Sequence, residues 1–165
     1  MRHPSTASQE VTHQQLRDAM ATLATGVTVI TTLDGSGRPV GLTVNSFSSV
    51  SLEPPLILWS LGNGSSCRAA FDLHPFFAVH ILAADQQALA LQFAGDPSQR
   101  FEGVAFESNS RGLPILPGCL GVLECERHEI LAGGDHQIYL GKVISTQVST
   151  GGSALIYHQR QFSQT

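Results

Sequence analysis

Residues 41–55 read GLTVNSFSSVSLEPP, and this stretch is the best guide to the fold of the whole chain. It opens with the apolar and β-branched residues of a strand and continues with a run of hydroxyl and amide side chains. In an apolar core, each of these polar groups would need a hydrogen-bond partner. The run therefore fits either the wall of a pocket for a polar ligand or a strand whose serines and threonines face water.

The segments on both sides of this stretch predict further strands. Residues 27–33 (VTVITTL) are rich in β-branched residues, and the glycine turn at residues 34–37 (DGSG) joins them to the opening stretch as a β-hairpin. A strand rather than a helix follows the Gly-x-Gly of this turn, which excludes a dinucleotide-binding Rossmann fold. Pro54 and Pro55 are expected to interrupt backbone pairing before the next apolar strand at residues 56–61 (LILWSL).

Short helices are predicted around these strands. Thr12 and Gln15 make a capping-box pattern for a first helix, which Gly26 is expected to end. Asp85 is expected to cap a later helix over residues 86–94. These helices do not alternate regularly with the strands, so a parallel βαβ sheet is not indicated.

Residues 62–66 (GNGSS) lead into another short helix, predicted over residues 67–73. Backbone N–H groups at the start of a helix, beside the hydroxyls of Ser65 and Ser66 and the charge of Arg68, suit an anion such as phosphate. Alternatively, one of the two serines only caps the helix, which is the commoner use of serine at this position. The residues alone leave both interpretations open.

The second half of the chain predicts long strands and contains two histidines of interest. His80 lies in the middle of an apolar strand at residues 76–82 and is expected to be a hydrogen-bonded packing residue rather than a metal ligand. Residues 119–130 and 137–148 predict two longer strands. The connector between them either is a simple Gly-Asp turn or holds His136 beside a site, where the imidazole contacts a substrate amide or moves a proton.

A last short strand is predicted at residues 154–157, followed by a tail at residues 159–165. About seven strands against three or four short helices favour a mainly β, largely antiparallel barrel with a few peripheral helices. Residues 1–11 are expected to form a disordered tail, and residues 12–165 a single domain.

Composition narrows the class of ligand. Charged residues make up 13% of the chain, well below the roughly 25% of typical soluble proteins, which predicts a large subunit interface. A net charge of −4 argues against nucleic-acid and membrane-surface partners, and no apolar run reaches the length of a membrane span. We therefore expect a small-molecule ligand and a cytoplasmic location.

The chain contains an odd number of cysteines, namely Cys67, Cys119 and Cys125, and none of them forms a Cys-x-x-Cys motif. Neither a disulfide framework nor a zinc site is therefore predicted. The histidines show no metal-ligand spacing with one another, so no metal site is predicted from them either.

Several segments, spread over nearly the whole chain, form one recognisable pattern. They are residues 24–32 (ATGVTVITT), 41–55, 77–82 (FAVHIL), 92–95 (QFAG), 100–101 (RF) and 134–143 (GDHQIYLGKV). In order and spacing they resemble the flavin reductase family of FMN-binding split barrels, the small partners of two-component flavin monooxygenases. The resemblance implies an antiparallel Greek-key split β-barrel and a homodimer with flavin near the subunit interface.

The same resemblance implies roles for individual positions. The positions that it places at the flavin are Thr43, Val44, Asn45 and Ser46 at the ring and ribityl chain, Ser60 and Leu61 through their backbone, Ser65 and Ser66 towards the phosphate, and Phe93 and Arg100 at the border of the pocket. His136 is implied to be the catalytic residue, beside the flavin ring where the nicotinamide stacks. In two places the chain departs from the family: His80 stands where Asn is usual, and Arg160-Gln161 where an Arg-Gly pair is common.

The function implied is that of an NAD(P)H:flavin oxidoreductase, which passes hydride from NADH to FMN, or alternatively FAD, and supplies reduced flavin to a partner monooxygenase. The sequence contains no cluster of basic residues suited to bind the 2′-phosphate of NADPH, which favours NADH as the donor. Two other functions stay open: a split barrel that binds flavin or a haem-like ligand without nicotinamide chemistry, and a flavin-dependent oxidase or oxygenase with its own organic substrate. Fold alone does not separate the three, because unrelated activities share folds.

Overall fold

The computed structural model describes residues 10–164, and almost all of the predicted tail at residues 1–11 lies outside them. The described chain is mainly β and antiparallel, which confirms the predicted fold class. Among these residues, no helix has the length and apolar character needed to cross a membrane.

The strands and helices alternate irregularly along the chain. The strands are Thr25–Gly26 (β1), Thr28–Leu33 (β2), Pro39–Val44 (β3), Ser48–Leu52 (β4), Pro55–Gly62 (β5), Phe76–Ile81 (β6), Glu107–Ser108 (β7), Pro114–Ile115 (β8), Gly121–Gly133 (β9), His136–Val148 (β10), Leu155–His158 (β11) and Gln161–Gln164 (β12). The helices are His13–Ala21 (α1), Arg68–Leu73 (α2) and Gln87–Ala94 (α3), with a 3₁₀ turn at Ala84–Gln86.

The largest sheet contains seven strands in the order β3-β2-β6-β9-β10-β5-β4. Its edge strands, β3 and β4, are joined by residues 45–47 alone. A flat sheet of this size would separate its edges by about 29 Å, whereas the connector spans at most about 14 Å, so the sheet must curl until its edges approach each other. The connection from β5 to β6 carries α2 and returns the chain beside β2, which produces a Greek-key arrangement.

Strand β2 is buried on both faces because it separates two apolar cores. Ile30 faces the barrel interior, where the core contains Trp59 and Tyr139. Val29 belongs to a second core, which includes Phe93 of α3 and Leu155 of β11. Helix α3 and the C-terminal hairpin β11-β12 are therefore held against the outside of the barrel.

The first helix ends earlier than predicted. It carries the predicted capping box, in which Thr12 Oγ1 accepts from the Gln15 N–H at 3.2 Å and Gln15 Oε1 accepts from the Thr12 N–H at 2.9 Å. The helix stops at Ala21 because the N–H and the hydroxyl of Thr22 both bond back to carbonyls of its last turn. The prediction that Gly26 ends this helix is wrong, since Gly26 lies in β1 and pairs with β11.

Two further predictions about turns are wrong. Asp85 does not cap the following helix, because it lies inside a 3₁₀ turn in which Gln86 Oε1 accepts from the Ala83 N–H at 3.0 Å. Pro55 does not interrupt pairing but begins β5 opposite the last residue of β4, while Pro54 occupies the hairpin turn. Proline is tolerated at the first position of a strand, where its missing N–H breaks no interior ladder.

The prediction of a tail at residues 159–165 is also wrong, because residues of β12 pair with β11. Phe162 packs on Tyr157 with ring centroids 5.2 Å apart. The chain reverses through Gln159 and Arg160, which both have positive φ, 49° and 62°. Hairpin turns of this kind normally contain Asn or Gly, so the sequence carried no turn signal here. The predicted count of about seven strands was below the twelve of the described residues, because it left out β12 and the two-residue strands β1, β7 and β8 and treated β3 and β4 as one stretch.

His80 is a hydrogen-bonded packing residue, as predicted. Its fully buried ring donates from Nδ1 to Val29 O at 3.0 Å and accepts at Nε2 from the Leu116 N–H at 3.1 Å. These two bonds together require the neutral imidazole. Burial lowers the pKa of His80 from 6.5 to about 4, although the hydrogen bond to Val29 opposes this shift.

His80 is expected to make the stability of the protein depend on pH. The unfolded chain binds this proton more tightly than the folded one, so the contribution is complete above about pH 6.5 and is lost as the pH falls through about 4. We expect the free energy of unfolding to fall by about 2 kcal/mol, because of His80 alone, when the pH is lowered from about 7 to about 5. Urea denaturation of the wild type and His80→Asn at both pH values measures this, and the variant should show the smaller pH dependence.

The exposed His128 provides the matched control for this measurement. His128→Asn should keep the pH dependence of the wild type, because this side chain stays exposed on β9 and is not transferred into the core on folding. Equal pH dependence in the wild type and in both variants would contradict a neutral, buried His80.

Candidate functional site

Several of the predicted site residues meet at the C-terminal end of β5. Trp59 and Leu61 point into the barrel core, whereas the half-buried Ser60 points to the outer face. Ser46 reaches this strand from the β3-β4 connector, and its hydroxyl accepts from the Ser60 N–H at 2.9 Å and lies 3.3 Å from Ser60 O. The side chain of Ser46 thus continues the β4-β5 ladder by one step and fixes residues 45–47 against β5.

The turn at residues 62–66 follows β5 directly. The Ser65 N–H donates to Gly62 O at 3.0 Å, and Ser65 Oγ accepts from the Cys67 N–H at 3.3 Å. Helix α2 begins one residue after the predicted position, with Cys67 at its N-cap. Ser65 therefore has a local structural bond, whereas the exposed Ser66 has no hydrogen-bond partner among residues 10–164.

His136 lies at the start of β10, directly opposite Gly62. Its Nδ1 lies 2.7 Å from Asp135 Oδ1, so the carboxylate accepts from Nδ1–H and orients the half-exposed ring. This hydrogen bond lowers the pKa of the Asp135 carboxyl. The Asn63 N–H donates to Asp135 O at 2.9 Å, which fastens the turn at residues 62–66 to the turn between β9 and β10.

Three of the predicted flavin contacts have partners in the protein interior. Thr43 Oγ1 donates to Ala90 O at 2.6 Å, Val44 belongs to the barrel core, and Phe93 is fully buried. The ring of Phe93 packs so closely on Gly41 that a Cβ there would lie 2.8 Å from it. These side chains therefore support the wall of the site from behind.

Arg100 also bonds groups of the protein. Its Nε and Nη2 donate to Gly95 O at 3.1 and 3.0 Å, and its Nη1 donates to Gly41 O at 2.9 Å and to Cys67 Sγ at 3.0 Å. The side chain thus joins the end of α3 to β3 and to the start of α2.

A cavity of about 600 Å³ opens beside the β3-β4 connector. Asn45 and Ser46 line it on one side, Arg17 of α1 on another, and Tyr157 and Arg160 of the C-terminal hairpin on a third. A second cavity of about 420 Å³ adjoins the first, since Asn45 and Tyr157 line both.

The sequence did not predict that α1 lines this region, nor that the C-terminal segment, which the family resemblance places near the flavin, is a hairpin. The two are joined by the Gln159 N–H, which donates to Ala21 O at 2.8 Å, and by an ion pair between Arg160 and Asp18. Apolar side chains of this segment stay more than half exposed, namely Leu16, Met20 and Leu23. One aromatic residue on each side of residues 159–160, Tyr157 and Phe162, was the available signal for the hairpin.

The collected groups suit binding and positioning rather than nucleophilic catalysis. The exposed side chains of Asn45 and Ser66 have no partner in the described part of the chain, so they can bind a polar or anionic ligand. The cysteines are buried, and burial raises the pKa of Cys119 to about 11 and of Cys125 to about 12. These two thiols stay protonated at neutral pH and are poor nucleophiles.

Comparison with known proteins places this geometry in a family context. Residues 20–165 match the family described as flavin reductase like domain. An FMN reductase (NADH) of Agrobacterium fabrum is 43% identical over 131 residues, which cover 79% of this chain and 74% of that protein. The reductase subunit of a flavin-dependent monooxygenase of Rhodococcus jostii is 32% identical over 157 residues, which cover 95% of this chain and 80% of that protein.

A solved structure extends the likeness to three dimensions. It is the NADH:FAD oxidoreductase of Streptomyces globisporus, in complex with NAD and FAD fragments. It matches with a TM-score of 0.86 and 36% identity and covers 92% of this chain and 92% of its own. The split-barrel arrangement described above is therefore shared with this oxidoreductase.

Proposed function

The chain belongs to the flavin reductase like domain family, and on this premise we propose that it is an NADH-dependent flavin reductase that passes hydride from NADH to FMN. The observation that carries the proposal is the 43% identity to the FMN reductase (NADH) of Agrobacterium fabrum over 79% of the chain. FAD is the alternative flavin, because the similar structure from Streptomyces globisporus is that of an NADH:FAD oxidoreductase. NADPH is the less favoured donor.

The unpartnered polar groups beside β5 fit a flavin. Asn45 and Ser66 have donors to spare in the described part of the chain; Asn45 lies in the β3-β4 connector, and Ser66 lies in the turn at residues 62–66 that follows β5. We assign the residues as follows: Asn45 and Ser46 beside the ring and ribityl chain, Ser60 and Leu61 along its edge through their backbone, Ser65 and Ser66 at the phosphate, and Thr43, Val44, Phe93 and Arg100 behind the pocket wall.

A nicotinamide nucleotide and a flavin, when bound, would supply the redox chemistry, one as hydride donor and one as hydride acceptor. The chain has to hold their rings close together and to place hydrogen-bond donors where negative charge develops. His136 is proposed to contact the nicotinamide side through the ring nitrogen that Asp135 leaves free. Because the pKa of Asp135 is lowered, its carboxylate stays ionised and keeps the imidazole in one orientation.

We also propose a homodimer and a transient oxygenase partner. The reductase subunit of Rhodococcus jostii serves a flavin-dependent monooxygenase, which supports a partner that takes up reduced flavin. The exposed apolar side chains of α1 and the 13% content of charged residues support a second copy of the chain packed against this helix. A cytoplasmic location, where NADH is formed, stays part of the proposal.

An anaerobic assay tests the proposed function. Mixing the protein with FMN and NADH should bleach the visible absorbance of the flavin, and the same assay with FAD and NADPH ranks the alternative substrates. Flavin binding without bleaching would favour a binding protein or an oxidase with its own substrate. Absence of any flavin binding would contradict the proposal.

His136→Ala tests the assignment of the catalytic position. We expect the rate of FMN reduction at saturating FMN to fall by about tenfold or more, with the Kd for FMN nearly unchanged, because the imidazole acts on the nicotinamide side. Stopped-flow reduction and a fluorescence titration measure the two quantities. The exposed His128→Ala, on strand β9, should leave both unchanged. Equal losses of rate and affinity in His136→Ala would contradict the assignment.

The molar mass in solution tests the homodimer. Light scattering should give twice the 17.6 kDa of one chain for the wild type. Leu16→Glu should shift the mass towards that of one chain, because it places a charge in the apolar face of α1. A wild type that is monomeric at all accessible concentrations would contradict the dimer.

A further inference from the structure

Arg100 is the centre of a closed hydrogen-bonded triangle behind the turn at residues 62–66. Its Nη1 donates to Gly41 O at 2.9 Å and to Cys67 Sγ at 3.0 Å, and Cys67 Sγ in turn lies 3.8 Å from Gly41 O. Cys67 is 3% exposed and Gly41 is also buried. The sulfur can therefore accept from the guanidinium while its own hydrogen points to the carbonyl.

The other end of the guanidinium is held by a rigid part of the fold. Both Nε and Nη2 donate to Gly95 O, at the end of α3. Helix α3 is itself fixed to β3 by the packing of Phe93 on Gly41. Arg100 thus connects a firm support to the start of α2.

The connection continues into the turn that carries the two serines. Cys67 directly follows Ser66, and the Cys67 N–H donates to Ser65 Oγ at 3.3 Å. A displacement of Cys67 would therefore move both serines. On its far side the turn is fastened to the β9-β10 turn and the start of β10 through the N–H and the side chain of Asn63, whereas Arg100 attaches it from the opposite side.

We propose that Arg100 is a positioning residue for phosphate recognition, which acts through Cys67 to hold the turn at residues 62–66 so that Ser65 and Ser66 face the phosphate of FMN. This inference rests on the proposed function. It gives Arg100 a role through the protein, without direct contact with the flavin.

Preorganisation of the turn is the physical reason for the effect. A backbone segment that is ordered only when the ligand binds spends part of the binding free energy on its own loss of conformational entropy. Arg100 removes that cost before the phosphate arrives. Lysine cannot replace it, because only the planar fork of arginine reaches three acceptors on two sides at once. Riboflavin lacks the phosphate, so its affinity should not depend on the turn.

The test compares the Kd values for FMN and riboflavin in the wild type and in Arg100→Gln, measured by titration of flavin fluorescence. We expect the variant to raise the Kd for FMN about tenfold and to leave that for riboflavin within about twofold. The control is Arg111→Gln, which removes an exposed guanidinium that also bonds within the protein, pairing with Glu124 at 3.3 Å, and which should change neither value. An equal rise for both ligands in Arg100→Gln, or no change for either, would overturn the inference.

A pair of variants at Cys67 decides the matter if Arg100→Gln does not fold. Cys67→Ser keeps a hydrogen-bond acceptor for Arg100, whereas Cys67→Ala removes it. Cys67→Ala should raise the Kd for FMN about threefold relative to Cys67→Ser, again without an effect on riboflavin. Identical FMN affinities in these two variants would overturn the inference.

Failure of this inference is separable from failure of the proposed function. A wild type that reduces both flavins with NADH but binds riboflavin as tightly as FMN would remain a reductase and would overturn the role of the turn. A wild type that prefers FMN but reduces neither flavin would overturn the reductase function, and the binding comparison would still test Arg100.

Discussion

The pairing of β5 with β10 is the constraint on which the rest of the site depends. It runs from Leu56 opposite Lys142 to Gly62 opposite His136. The register that sets Trp59 and Tyr139 side by side in the barrel core, with ring centroids 4.6 Å apart, also brings His136 to the end of β5. A slip by one residue would turn the tryptophan outwards and a serine inwards, so the apolar core enforces the position of the histidine.

The same core positions the turn at residues 62–66. Phe71 of α2 packs edge-on against Trp59 at 4.8 Å, and Tyr139 donates from its hydroxyl to Asp72 at 2.6 Å. Gly141 lets β10 approach the core closely, since a Cβ there would lie 2.5 Å from the ring of Phe77. Helix α2 is thus fixed by aromatic packing on one side and, through Cys67 at its start, by the hydrogen bond from Arg100 on the other.

Buried hydroxyls in this fold mostly bind backbone carbonyls. Thr28 donates to Val44 O at 2.8 Å and Thr31 to Pro114 O at 2.7 Å, which ties β2 to its neighbours across the barrel wall. In the stretch at residues 41–55, Thr43 also donates to a backbone carbonyl, and the hydroxyl of Ser46 accepts from the Ser60 N–H, whereas Asn45 lines both cavities. The polar run is therefore partly structural and partly pocket wall, a division that composition could not reveal because both uses need the same residue types.

Local chemistry in the sequence determined most of the secondary-structure elements. We could predict the capping box of Thr12 and Gln15, the glycine turn after β2, the long apolar strands and the buried, neutral His80. Each of these features depends on neighbours a few residues away or on burial alone. Local chemistry failed at the turn through residues 159–160, which lacks turn residues, at the C-terminal end of α1 and at the start of α3. Only the tertiary structure decided which distant parts of the chain lie together. Examples are the contact of Arg100 with Cys67 and that of α1 with the C-terminal hairpin. These contacts join residues far apart in the chain, and strand register and core packing, which act over the whole molecule, bring them together.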